Sequence, residues 1–190
     1  NEKISRKFGG KEFSDMEDFR RKISKWRGFY QELAPGNPHI IEDATRMFRF
    51  ELLKSSKNVN LFDGIDAVIE TLSRSFKLGI VSHNLRDIIV PKLTEKNLLQ
   101  FFDSIVDGMV ENIKPHPEPI NICLSELGVE PHEACMIGDL PDDITAAKNA
   151  NLAFAIGVSY GYSPAHELRD ADIIVDKPEN IISAIQRLGM

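Results

Sequence analysis

The sequence is poor in cysteine: Cys123 and Cys135 are the only two among 190 residues, and neither sits in a paired-ligand spacing. That excludes a disulfide-built scaffold and a thiolate metal cage, and both read as small core side chains in a reducing compartment. Long apolar runs are absent too. Nothing approaches the ~20 consecutive residues needed to span a bilayer, and no signal-peptide pattern is present. Basic charge is not in excess, since the formal net charge is −6, which argues against general nucleic-acid binding. No internal repeat or low-complexity tract interrupts the chain. What remains is ordinary globular composition, 42% hydrophobic and 27% charged, long enough to bury a substantial core in one or two domains. The expected setting is the cytoplasm, as a monomer or homodimer.

Charge is unevenly spread. Residues 1–58 carry 13 Lys and Arg against 9 Asp and Glu, and the remainder carries 10 against 20. A basic piece over an acidic one could attract an anionic substrate; an ordinary solvated helix surface explains the split equally well. Residues 1–58 have a helical texture. Ser14-Asp15-Met16-Glu17 is a capping box, and Met16, Phe19, Ile23, Trp26, Tyr30 and Leu33 recur as an amphipathic stripe. Pro35-Gly36-Asn37 ends that helix, and Pro38 suits the first turn of a second, with Ile41, Ala44, Phe48 and Leu52 on one face.

From residue 59 the texture becomes alternating helices and short apolar runs, the mark of a doubly wound, Rossmann-like α/β core with a parallel sheet. The pattern predicts strands over 79–82, 104–106, 135–137, 153–156 and 173–175. Helices are expected with a face at Ile65, Val68, Ile69 and Leu72, then near 85–97, 117–127, 142–150 and 179–188. Pro91 should kink the second of these or delay its start. Asn151 stands after a helix, where it tolerates a left-handed conformation.

Three strand or loop ends carry chemistry. Gly138-Asp139-Leu140-Pro141-Asp142-Asp143 follows an apolar run, and paired carboxylates at Asp139 and Asp143 suit a hard cation such as Mg2+. Asp142 could instead begin a helix, where acidic residues suit the dipole. Ser82 ends a strand with its hydroxyl available to a phosphoryl oxygen, and the amides of His83 and Asn84 open a helix N-terminus that favours an anion. The plainer reading is that Ser82 or Asn84 caps that helix. Lys114 precedes Pro115, which favours an extended backbone there; a fixed ammonium ~4 Å from a phosphate is worth about 4 kcal/mol at an effective dielectric of ~20. His116, in the same turn, reads as structural or exposed.

In order and spacing these segments resemble the haloacid dehalogenase-like hydrolase superfamily, in its phosphoglycolate-phosphatase-like branch. Leu61-Phe62-Asp63-Gly64-Ile65 looks like that family's lead-in to the first core helix. Ser82-His83-Asn84 looks like its second motif, Lys114-Pro115-His116-Pro117 its third, and Gly138 to Asp143 its fourth. Gly157-Val158-Ser159-Tyr160-Gly161-Tyr162 resembles its Gly-Val-x-aromatic-Gly-Tyr segment. The resemblance implies that residues 1–58 are a small helical cap that closes over the site, and that 59–190 are the catalytic core. It implies a Mg2+-dependent phosphatase of a small phosphorylated metabolite or pyrophosphate, with Ser82, His83, Asn84 and Lys114 on phosphate, Ser82 and Lys114 aiding catalysis, and Asp139 and Asp143 on the metal. A sugar-phosphate mutase of the same family and a non-catalytic interaction protein are the alternatives.

One motif is missing. The family's Asp-x-Asp, which supplies the nucleophile and the acid/base, has no counterpart on an early strand. Asp170-Ala171-Asp172 is the only such triplet, and it suits the turn into the last strand. The family's first strand lies between those carrying the second and fourth motifs. The expectation is therefore a further N-terminal piece of roughly 20–30 residues, about one strand, one helix and their connections.

Overall fold

The computed structural model describes residues 60–189; the expected cap helices lie outside the described residues. The chain divides into two compact units, Asn1–Val59 and Asn60–Met190. The second is an α/β unit whose strands are all parallel. Helix α1 (Ile65–Ser73) follows Gly64, whose φ of 81° is open to glycine without cost, and buries Val68 and Leu72. Then come β1 (Gly79–Val81), α2 (Arg86–Glu95), β2 (Ser104–Val106), α3 (Glu118–Leu127), β3 (Cys135–Gly138), α4 (Pro141–Asn149), β4 (Phe154–Val158), β5 (Ile173–Val175) and α5 (Asn180–Leu188).

Helix ends follow local chemistry. Pro91 does not delay α2, which runs through it. Pro141 occupies the first turn of α4, where its missing N–H costs nothing. Gly128 ends α3 in the left-handed conformation, and the Val129 amide returns to the Leu124 carbonyl at 3.1 Å. Asn151 also takes a positive φ, 56°. The late Asp-x-Asp serves the local structure. Asp172 Oδ2 accepts the Ala155 amide at 2.7 Å, tying the entry of β5 to β4.

The strands form two groups. β1 pairs with β2, in register Gly79 with Ser104, and β4 lies between β3 and β5. Ala155 to Val158 of β4 are buried, as are all three residues of β2, the continuous apolar run expected of parallel strands covered on both faces. Val68, Leu72, Ile156, Val158, Val175, Ile181 and Ile185 form a core cluster that joins α1 and α5 to β4 and β5. Helix α3 approaches β1 so closely that a Cβ on Gly79 would lie 2.3 Å from Cys123 Sγ.

No described strand joins the two groups. A cavity of about 570 Å³ separates them, lined by Leu78 to Val81 on one side and Ala134 to Ile137 on the other. The residues of β1, and Cys135 to Ile137 of β3, are correspondingly exposed or only half-buried. Burial nonetheless pushes the Cys135 thiol up to about 11. The chain winds outward from β1 to β2, then back through α3 to β3. The crevice at the C-terminal ends of β1 and β3 is therefore a topological switch point, where open α/β sheets bind their ligands.

Candidate active site

Of the residues singled out in the sequence, Lys114 and Asp143 meet at that switch point, with His83 beside them and the Asp139 amide bonded to Asp143. Ser82 directly follows β1, and its amide bonds the Val106 carbonyl at 3.0 Å, extending the β1–β2 ladder by one residue. Its Oγ accepts the Asn84 amide at 3.0 Å. The hydroxyl thus shapes the turn while its proton stays available to an acceptor. The Asn84 amide is engaged within this turn, and the Asn84 carbonyl accepts the Gly108 amide at 3.0 Å. A side chain that sequence reasoning missed, Asp107, completes the entry to α2. Its Oδ2 accepts the Arg86 amide at 2.9 Å and its Oδ1 the Met109 amide at 3.1 Å. The Asp107-Gly108 pair after an apolar strand was the available signal.

Lys114 is 5% exposed. Its Nζ lies 2.6 Å from Asp143 Oδ1 and 2.8 Å from the Val81 carbonyl. One ammonium therefore touches the C-terminal end of β1 and the helix that follows β3. Asp143 is 3% exposed, and its second oxygen accepts the amides of Asp139 at 3.1 Å and Leu140 at 3.0 Å. Both carboxylate oxygens of Asp143 are bonded within the protein. Gly138 is required for this packing: a Cβ there would lie 2.3 Å from the Cβ of Asp143. Asp139 differs. It is half-buried, its Oδ2 accepts the Tyr162 amide at 2.8 Å, and its Oδ1 has no hydrogen-bond partner among the described residues.

His83 lies beside Lys114 and Asp143. Desolvation is the main cause that lowers its pKa below the ordinary 6.5, with the Lys114 charge adding to it and Asp143 and the Lys114 backbone opposing. Its Nε2 is the only buried side-chain nitrogen or oxygen without a partner among the described residues. The folded state resists protonation that the unfolded chain accepts. The part of the stability tied to His83 is therefore complete above pH 6.5 and falls as pH drops through 6.5 toward the lowered folded value. Urea melts across this range should lose that part of the acid sensitivity in His83→Gln; an unchanged pH profile would contradict the assignment. His116 is exposed in its turn and accepts the Glu118 amide at 3.2 Å.

A hard divalent ion needs several oxygen ligands around it. Among the described residues no three His, Cys, Asp or Glu side chains cluster as a complete metal cage. Asp139 Oδ1 fits such an ion from one side, whereas the oxygens of Asp143 already serve Lys114 and two amides. Near Asp139, Tyr160 packs edge-on to Phe62 at 4.9 Å between ring centroids. Burial, and then the Asp139 charge, push the Tyr160 phenol above its ordinary value.

Comparison with known proteins bears on this arrangement. The family described as haloacid dehalogenase-like hydrolase matches residues 3–156. The chain is 33% identical over 156 residues to pyrophosphatase PpaX of Bacillus pumilus, spanning 78% of this chain and 71% of that protein. It is 30% identical over 133 residues to phosphoglycolate phosphatase of Nitrosococcus oceani, spanning 69% of this chain and 56% of that one. A crystal structure of a putative phosphoglycolate phosphatase from Lactobacillus plantarum superimposes with a TM-score of 0.79 at 20% identity, covering 95% of this chain and 86% of the other. That last likeness bears on the fold alone.

Proposed function

The chain belongs to the haloacid dehalogenase-like hydrolase family, and from that premise we propose that it is a Mg2+-dependent phosphatase of a small phosphorylated metabolite, phosphoglycolate-like or pyrophosphate. The observation that carries this reading is Lys114 Nζ, 2.6 Å from Asp143 and 2.8 Å from the end of β1. An ammonium held on two sides at a switch point is preorganised to meet charge developing on a phosphoryl group.

The roles follow from the contacts. Ser82 donates its hydroxyl proton to a phosphoryl oxygen while its oxygen keeps the turn. Lys114 stands beside that group, and Asp143 fixes it there. Asp139 would hold Mg2+ through Oδ1, and Asp143 supports the loop rather than ligating directly. The bound ion would supply neutralisation of phosphoryl charge. The nucleophile and acid/base belong, in this reading, to a strand in the gap between β1 and β3. Among the described residues the facing edges of β1 and β3 pair with no strand, and the C-terminal end of such a strand would emerge between Ser82 and Asp139.

The test is a screen of small phosphoesters and pyrophosphate with the full protein and added Mg2+. Phosphate release from at least one compound, abolished by chelator, is expected. An intramolecular phosphoryl shift without release would favour a mutase. No turnover of any kind with Mg2+ present would leave the interaction-protein reading standing.

A further inference from the structure

We infer that the Tyr160–Ser163 turn is a clamp that aims the Asp139 carboxylate, with Gly161 as the position that permits it. This rests on the reading of Asp139 as the metal-holding side chain and adds the residues that orient it. Two bonds tie the turn to one residue: the Tyr162 amide donates to Asp139 Oδ2 at 2.8 Å, and the Ser163 amide donates to the Asp139 carbonyl at 3.2 Å. Main chain and side chain of Asp139 are thus fixed by adjacent amides. Ser163 is 2% exposed, so the second bond is shielded from water.

Gly161 lies against the stem of the carboxylate. A Cβ there would fall 2.4 Å from Asp139 Cβ and 2.5 Å from Oδ2. The nearer obstacle is the first carbon of the side chain, which cannot swing aside as a flexible tip can. Any larger residue must displace Asp139, the turn, or both. The turn is braced in its own right, because Tyr160 packs on the core cluster that joins α1 and α5 to β4 and β5 and meets Phe62 edge to face. With Oδ2 taken by an amide, the carboxylate offers a single oxygen in a set direction. That is the arrangement by which outer contacts orient a ligand and tune its affinity.

Gly161, Tyr160 and Phe62 are positioning residues in this scheme, and metal affinity measured apart from turnover tests it. Mn2+ titrations of the full protein, followed by electron paramagnetic resonance of the free ion, are the measurement. Gly161→Ala should weaken Mn2+ binding at least ~10-fold, within the range for lost outer contacts to a metal ligand, without loss of the cooperative melt. Phe62→Ala, at a site 51% exposed, should give a smaller loss in the same direction. Binding by wild type and Gly161→Ala with equal affinity would overturn the clamp and leave the metal reading intact. Failure of wild type to bind Mn2+ would overturn both. Should Gly161→Ala fail to fold, an unchanged affinity in Phe62→Ala overturns the clamp.

Discussion

Lys114→Met should lower stability by about 3–5 kcal/mol, the cost of leaving one member of a buried ion pair without its partner. Asp143 would keep two amides but lose the ammonium at 2.6 Å, with its side chain only 4% exposed. Phosphate release should fall at least ~100-fold at the same time, in line with loss of a preorganised charge stabiliser. The two losses have separable origins. Lys114→Met combined with Asp143→Asn removes both charges and keeps a side-chain oxygen for the Asp139 and Leu140 amides, so no buried charge is left without a partner. Equilibrium unfolding should therefore recover in the double variant while kcat stays low. If turnover returned with stability, Lys114 would be a structural residue and its assignment to the phosphoryl group would fail.

Asp139→Ala should produce the opposite pattern. Its carboxylate accepts one amide in a half-buried loop, so the expected stability change is about 1 kcal/mol, the net value of one hydrogen bond. Turnover should nonetheless fall at least ~100-fold, because the oxygen assigned to the metal is gone. Near-normal kcat with saturating Mg2+ in this variant would remove Asp139 from the metal site. The contrast between Asp139 and Asp143 is the sharper measurement: two carboxylates four residues apart, one costly to activity and one costly to the fold.

Periodicity in the sequence located the described elements to within a residue or two, because each strand is a short apolar run closed by a turn. The runs at 104–106 and 173–175 have the same bounds in the structure. Short 3₁₀ turns at Leu99–Phe101, Pro131–Glu133 and Ala165–Leu168 left no such trace, since three or four residues carry no period. As candidates, Ser82, Lys114 and Asp139 were legible. Their partners were not. The pairing of Lys114 with Asp143 spans 29 positions, and the Tyr162 amide reaches Asp139 across 23. Contacts of that range are set by the winding of the sheet, which local spacing does not encode. Asp139 and Asp143 are alike as letters in a motif; only their hydrogen bonds distinguish them.

The concealment of the Lys114–Asp143 pair carries one more consequence. Mobile ions weaken attraction between charges that they can surround, and these two side chains are 7% and 4% exposed. The Arg74–Glu70 pair, at 72% and 55%, is open to such ions and fades in concentrated electrolyte. The link between the end of β1 and the helix after β3 is therefore screened far less than the Arg74–Glu70 pair, and rising ionic strength loosens the surface pair first.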